Sequence, residues 1–495
     1  MVKTLLIWIL LLATCYSNSR AAVYTYDYSP NCAKAYQCYM ALHEDEGRNY
    51  IISEIRANPY NLMAVYVADY EDCTLLLINC DRHEYNERAA HLSARIELVD
   101  KGNKASPWYR FCKAGIYFHW AIIATRFGEQ YKAAVNFHKS FALLKENKRL
   151  FPGFDYNNVY SGLEEAVVGA LPGNYKWLAS IFGMKGDIKK GVAQLHLFLK
   201  AHSAGQPMYA ETQLYNLFTR YYLAAQQDEA WAFMNSKEFT TVDNLLNAFT
   251  KITIALDYKK ADAAIATLKE ASTDAYCRRY PFFDHLWGVA LLAKGDMACN
   301  GYFTKYLKTT KSDVHIKDDW QKMAYAWYIA GNIQQAAYCR QQISKNGTER
   351  IDADKQAAKF AEDKAWPLQK LLKARLLADG GYYDKALQIL NSIDKKELTN
   401  PADKTEYLFR LGNIYEATGD NKSALEHFQT AILAGKELHG QYAARAALRM
   451  GIIYEYSGMK VKAVALYKEC LGMPAHEMQN SIDQQAKAGI NRIEG

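Results

Sequence analysis

The sequence predicts an all-α protein, a solenoid of stacked helical hairpins, and three observations predict it. The first is a repeating signature near the C-terminal end. One copy runs Leu408, Leu411, Gly412, Tyr415, Gly419, Ala424, Phe428, Ala431, and the next runs Met450, Gly451, Tyr454, Gly458, Ala463, Tyr467 at the same internal spacing. The second is composition: alanine, leucine, lysine and tyrosine abound, while alternating β-branched runs bounded by turn residues are nearly absent, which argues against sheets. The third is length. At 495 residues the chain exceeds the roughly 250–300 at which one core stops growing, yet no break in composition divides it. A stacked array escapes that limit.

Each position in the signature has a physical task. Gly412 and Gly451 let a second helix lie close, and an aromatic three residues later fills the space beside it. Gly419 and Gly458 end the first helix, because a residue without Cβ enters the left-handed conformation cheaply. Ala424 and Ala463 sit where two backbones cross. The same turn-and-crossing pair recurs upstream at Gly381 with Ala386, Gly331 with Ala336, Gly186 with Gly191, and Gly128 with Ala133. It recurs imperfectly at Gly295 with Asn300, at Ala225 with Ala230, and around Tyr258 and Ala261. The step between turns is 39 residues from Gly419 to Gly458, 38 from Gly381 to Gly419 and 36 from Gly295 to Gly331. Steps of 50 after Gly331 and 58 after Gly128 mark insertions. The first is a polar linker or extended helix over 341–365; the second is an added helix near 153–173, where Leu163, Val167, Ala170 and Leu171 form an apolar stripe. The aromatic rings are expected mainly to fill gaps between helices.

This spacing resembles the tetratricopeptide repeat, a helix-turn-helix of 34 residues with Trp, Leu, Gly, Tyr, Ala, Phe, Ala and Pro at fixed places. The match is close over 401–436; the second copy departs at Cys470 and closes one residue early, at Pro474. The residues around 150–195, including Asn174, Tyr175, Lys176 and Trp177, also resemble a motif of a eukaryotic tetratricopeptide group linked to inclusion-body clearance, over about a tenth of the chain. The resemblance implies a right-handed superhelix whose first helices line a concave groove for a protein or peptide. Its groove positions carry over to Arg375, Asn413, Glu416, Arg445, Arg449, Glu455 and Tyr456. The family's clamp for a terminal carboxylate is not expected, since Leu371 stands in place of its first lysine and Arg375 in place of its first asparagine.

The chain is expected to divide into a signal peptide over 1–21, a helical region over 22–107, divergent repeats over 108–340, the polar segment over 341–365 and C-terminal repeats over 366–495. Lys3, the apolar run Leu5–Ala13 and the small residues Ser19 and Ala21 are the parts of a secretory signal, too short for a membrane span. They point to export to the periplasm. A rival reading takes Leu12-Ala13-Thr14-Cys15 as a lipoprotein box, with lipid on Cys15 as the sole route to a membrane. Nine other cysteines remain, an odd number. Cys32 with Cys38, or Cys73 with Cys80, would bridge only across a bend, because six or seven helical residues separate α-carbons by roughly 9–10.5 Å. The net charge of +7 is mild and no basic tract tracks phosphates, so nucleic acid is not expected as a partner.

Chemistry-bearing motifs are few. Gly183-Met184-Lys185-Gly186 lacks the lysine-hydroxyl pair of a phosphate loop, and neither His-Glu-x-x-His nor Gly-x-Ser-x-Gly occurs. Cys80, His83, Glu84, Glu87 and His91 could share a helical face, but no second element supplies metal ligands, and no metal or cofactor is expected there. The run His43 to Glu46 reads as a solvated loop or helix end. The sequence therefore predicts a non-catalytic, exported scaffold that binds a protein in its groove. The alternatives are an envelope carbohydrate- or lipid-binding component and, from the region 23–101, an enzyme whose pocket would gather carboxylates or histidines.

Overall fold

A computed structural model describes residues 23–171, 183–363, 365–474, 476 and 478–494. The leader reading over 1–21, Cys15 and the motif residues Asn174 to Trp177 lie outside these. The described residues are all-α apart from one isolated bridge between Thr25 and Asn61. The chain forms two compact units, Met1–Asn247 and Ala248–Gly495.

The first unit holds α1 (Pro30–Met40), α2 (Glu44–Ala57), α3 (Leu62–Asn79), α4 (Arg82–Arg88), α5 (Ala90–Val99), α6 (Pro107–Arg126), α7 (Gln130–Leu150), α8 (Asn157–Ala170), α9 (Ile188–Ala201), α10 (Tyr209–Phe218) and α11 (Gln227–Met234). Side chains cap these starts: Ser29, Asn61, Asp81, Ser106 and Asp187 each accept a backbone N–H of the first turn. The helix α3 is buried around most of its girth, so the others pack on it. The added helix is α8. Its partner α9 lies so close that a Cβ on Gly191 would fall 2.4 Å from the Gly162 carbonyl oxygen. Gly186 differs from expectation: its φ is not positive, and a Cβ there would meet the Gly169 nitrogen at 2.3 Å, so it serves helix approach, not a left-handed turn. Ala225 does take the left-handed conformation, at φ 56°. The run from His43 is the helix end, not the loop, of the two expected alternatives: Glu44, Asp45 and Glu46 form the first turn of α2, with Glu44 buried.

At the centre of this unit His119 of α6 is enclosed by polar partners. Its Nδ1 bonds Asp69 at 2.8 Å and its Nε2 bonds Glu211 at 3.2 Å, while Tyr70 and Tyr215 donate to the same Glu211. Burial works against the imidazolium, but the bonds to Asp69 and Glu211 outweigh it and lift its pKa from 6.5 to about 9.

The second unit opens within α12 (Leu245–Asp257) and continues as α13 (Ala261–Ala271), α14 (Phe282–Lys294), α15 (Cys299–Thr309), α16 (Ile316–Ile329), α17 (Ile333–Lys345), α18 (Asp352–Glu362), α19 (Gln369–Asp379), α20 (Tyr383–Asn391), α21 (Pro401–Ala417), α22 (Asn421–Gly435), α23 (Gln441–Tyr456), α24 (Lys460–Leu471) and α25 (Gln479–Glu494). Successive hairpins turn at Gly295, Gly331, Gly381, Gly419 and Gly458, all at positive φ, and at Lys259 with φ 57° where glycine is missing. Behind each turn Ala336, Ala386, Ala424 and Ala463 are fully buried at the crossing. The polar segment is not a bare linker: it forms α18, and Asp354 on it accepts the backbone N–H groups of His315 and Asp318 at 2.8 and 3.0 Å, which caps α16. All nine described cysteines are free, so neither Cys32–Cys38 nor Cys73–Cys80 is bridged.

A Cβ on Gly412 would lie 2.6 Å from the buried ring of Phe428. Gly412→Leu should therefore cost about 1–3 kcal/mol by overpacking, read as a lower denaturation midpoint of the second unit. For His119, the folded pKa exceeds the unfolded one, so its stabilisation is complete below pH 6.5 and lost as pH rises to about 9. The unfolding free energy should fall by roughly 3 kcal/mol across that window, and His119→Gln should flatten the slope in urea titrations at graded pH.

Candidate functional site

The first helices of the last three hairpins, α19, α21 and α23, set a band of charged side chains on one side of the second unit. The sequence-predicted groove residues fall on them, but in two groups. Arg375, Asn413, Glu416, Arg445 and Arg449 form the larger group. Arg449 grips Glu416 through two bonds, with its Nε 2.8 Å from Oε2, and so ties α23 to α21. Asn413 is half-buried, one turn from Glu416. Glu455 and Tyr456 stand apart at the end of α23: Arg492 of α25 donates twice to Glu455 at 2.8 Å, Tyr467 donates to it as well, and Tyr456 is 80% exposed.

The structure adds residues that the repeat spacing did not single out. Arg410 on α21 is buried against Glu406 at 3.0 Å and lies over the Tyr442 ring at 5.3 Å. Arg375 lies over Tyr325 and Arg445 over Phe409, each at 5.3 Å. Lys259, in the left-handed turn between α12 and α13, also feels Arg410, Arg445 and Arg449. One signal for Arg410 was available, since it precedes Asn413 by one helical turn. None was available for Lys259, which lies in a degenerate repeat.

The electrostatics of this band are unequal. Burial opposes the Arg375 and Arg410 charges, but Tyr325 and Glu406 for the one, and Glu406 for the other, raise both pKa values. Burial also opposes the charge on Arg445, and there the repulsion of Arg410 adds to it, so its pKa falls. Lys259 is lowered in the same way, by burial and then by the three arginines, against a partial offset from Asp379. Arg375, Arg410, Arg445, Arg449 and Lys259 thus share this band with the carboxylates Asp379, Glu406 and Glu416.

The first unit contains a cavity of about 500 Å³ lined by Arg48, Glu71, Asp72, Glu84, Glu87, Arg88, His91 and Arg95, among others. It gathers Glu84, Glu87 and His91 of the cluster seen in the sequence, but they do not converge on a point. His91 bonds Asp72 at 2.7 Å, Glu84 pairs with Arg88 at 3.0 Å, His83 and Glu87 face each other in solvent, and Cys80 is buried at the end of α3. Arg95 reaches Asp69 at 2.6 Å and also bonds Asp72, which Arg88 holds at 2.6 Å. Burial would raise the Asp72 pKa, yet Arg95, Arg88 and His91 keep it below the usual carboxylate value. Arginines thus meet the carboxylates Glu71, Asp72 and Glu84 along this wall.

Helical hairpins joined by left-handed turns, presenting one charged face from their first helices, define a helical repeat protein. Residues 405–474 match the tetratricopeptide repeat family. Solved structures similar to it include one described as "Structure of Naa15/Naa10 bound to HypK-THB", at 14% identity, covering 93% of this chain and 65% of that one, with a TM-score of 0.23. Another is "Crystal structure of APC/C hetero-tetramer Cut9-Hcn1", at 11% identity, covering 92% of this chain and 95% of that one, with a TM-score of 0.22. This chain spans 65% of the length of the first. No curated protein matches it.

Asp69 and Asp72 are both fully buried and share Arg95. Arg95→Met should cost about 3–5 kcal/mol, because it leaves two buried carboxylates short of their cation. Differential scanning calorimetry of the full chain would show the loss as a lowered transition of the first unit, with the second unit unmoved.

Proposed function

We propose that this tetratricopeptide-repeat protein is a non-catalytic scaffold whose charged band on α19, α21 and α23 takes an acidic segment of a partner protein. The observation that carries the reading is the row of guanidinium groups on successive first helices, Arg375 over Tyr325, Arg410 over Tyr442 and Arg445 over Phe409, with Lys259 beside them. A carboxylate docked among them would supply counter-charge, and would gain from being partly desolvated. The aromatic floors under Arg375, Arg410 and Arg445 hold the guanidinium planes in place, so little side-chain freedom is lost on binding.

The reading includes a setting outside the cytoplasm. Its support is the basic Lys3, the apolar run Leu5–Ala13 and the small residues at Ser19 and Ala21, with the box ending at Cys15 as a lipid-anchored variant. N-terminal sequencing of the protein from its source tests this part: a mature chain starting at Ala22 supports export, and an intact Met1 or Val2 refutes it.

For the band itself, fluorescence anisotropy with labelled acidic and basic peptides of matched length provides the measurement. The acidic peptide should bind more tightly, by tenfold or so, and lose affinity as salt rises. Arg445→Gln with Lys259→Gln should abolish the preference, with far-UV circular dichroism checking that the double variant is folded. Equal binding of both peptides to the native chain would refute the acidic-partner reading.

A further inference from the structure

In the second unit, away from the charged band, two hairpins in succession bring histidines and carboxylates together out of solvent. His285 of α14 is buried, His315 caps α16, and Asp318 and Asp319 are buried in the first turn of α16. The imidazole rings are 4.4 Å apart between centroids. One ligand atom each from His285, His315 and Asp318 lies within 4.8 Å of the others, the one such group among the described residues.

Three features make this more than a chance cluster. First, His285 bonds Asp319 through Nδ1 at 2.7 Å. A carboxylate on Nδ1 fixes the tautomer and places the lone pair on Nε2, the arrangement by which metal-binding histidines are oriented. Second, carboxylates crowd the site. Asp318, Asp319 and Asp354 share it; Lys322 is bonded to Asp318, which His315 also meets through Nδ1 at 3.1 Å, and Lys317 reaches the Ile343 carbonyl at 2.9 Å. Third, the Oδ2 of the fully buried Asp319 takes no hydrogen bond. A buried carboxylate with an unmet oxygen beside two imidazoles is costly unless a cation offsets it.

We propose that His285, His315 and Asp318 bind a zinc ion, with Asp319 as the positioning residue behind His285. Two imidazole nitrogens and one carboxylate oxygen suit zinc, whereas calcium and magnesium favour all-oxygen sets. Three protein ligands leave a fourth position for water or a further donor. Tetrahedral zinc bonds of about 2.0–2.1 Å require the ligand atoms to close by roughly an ångström or so, within reach of ring and carboxylate rotation. Asp354 on α18 anchors the ligand pair from behind, through the backbone N–H groups of His315 and Asp318. Phe282 and Tyr306 stand against the imidazoles and limit water. Bound there, the ion would pin α14 to α16 and stiffen the stack ahead of the charged band.

Cobalt(II), as a spectroscopic stand-in, tests this on the untagged full-length chain after chelator treatment. The native chain should develop visible absorption that saturates at one ion per chain, and zinc should displace it and raise the thermal midpoint. His285→Gln and His315→Gln should each weaken binding at least tenfold, and Asp319→Asn by ~10–100-fold. Lys322→Met should tighten it, since the ammonium competes for Asp318, whereas a purely structural ion pair would give only lost stability. Far-UV circular dichroism checks that each variant is folded. Absence of a saturable cobalt spectrum in the native chain overturns the proposal whatever the variants do. So does binding that survives the combined His285→Gln and His315→Gln change.

Discussion

The second unit depends on how closely two helix backbones can approach within each hairpin. At Gly412 and Gly451 the missing side chain is replaced by the face of a ring from the partner helix, Phe428 in one hairpin and Tyr467 in the next. Behind them fully buried alanines mark the crossing points. These contacts fix the spacing of each pair, and the spacing in turn fixes where the first helices point their remaining side chains. The charged band therefore follows from the packing: arginines on α19, α21 and α23 share a side because the hairpins repeat with nearly the same geometry.

The first unit is held by a different means. Its core contains buried charges in matched sets, with Asp69 and Asp72 against Arg88 and Arg95, and His119 between Asp69 and Glu211. Such sets add little net stability relative to apolar packing, but removing any member is costly, so they select one arrangement of helices over others. Close-packed tyrosines complete it. Tyr39, Tyr66 and Tyr160 are all but fully buried, and their hydroxyls bond within the unit.

The candidate band was legible in part because groove positions follow from the repeat frame, and that frame is clear from Leu408 onward. Arg375, Asn413, Glu416, Arg445 and Arg449 could be placed on one side of successive helices by counting. Counting could not show that Glu416 and Arg449 neutralise each other, or that Glu455 is taken by Arg492 of the final helix, because those are contacts between elements far apart in the chain. Lys259 joins the band from a hairpin whose signature has decayed, and Tyr325 from the Gly331 hairpin. The cluster from Cys80 to His91 was legible as a list of residues, yet its members turn to separate partners.

The sequence by itself determined the hairpins, their turns and their crossing points, since a glycine at positive φ and an alanine under a ring are local requirements that leave a local trace. It could not determine the division at residue 247, the filling of the 341–365 segment by a helix that caps its neighbour, or the meeting of His285 with His315. Those depend on which surfaces come together once the hairpins stack, and pairings of that kind leave no regular spacing in the chain.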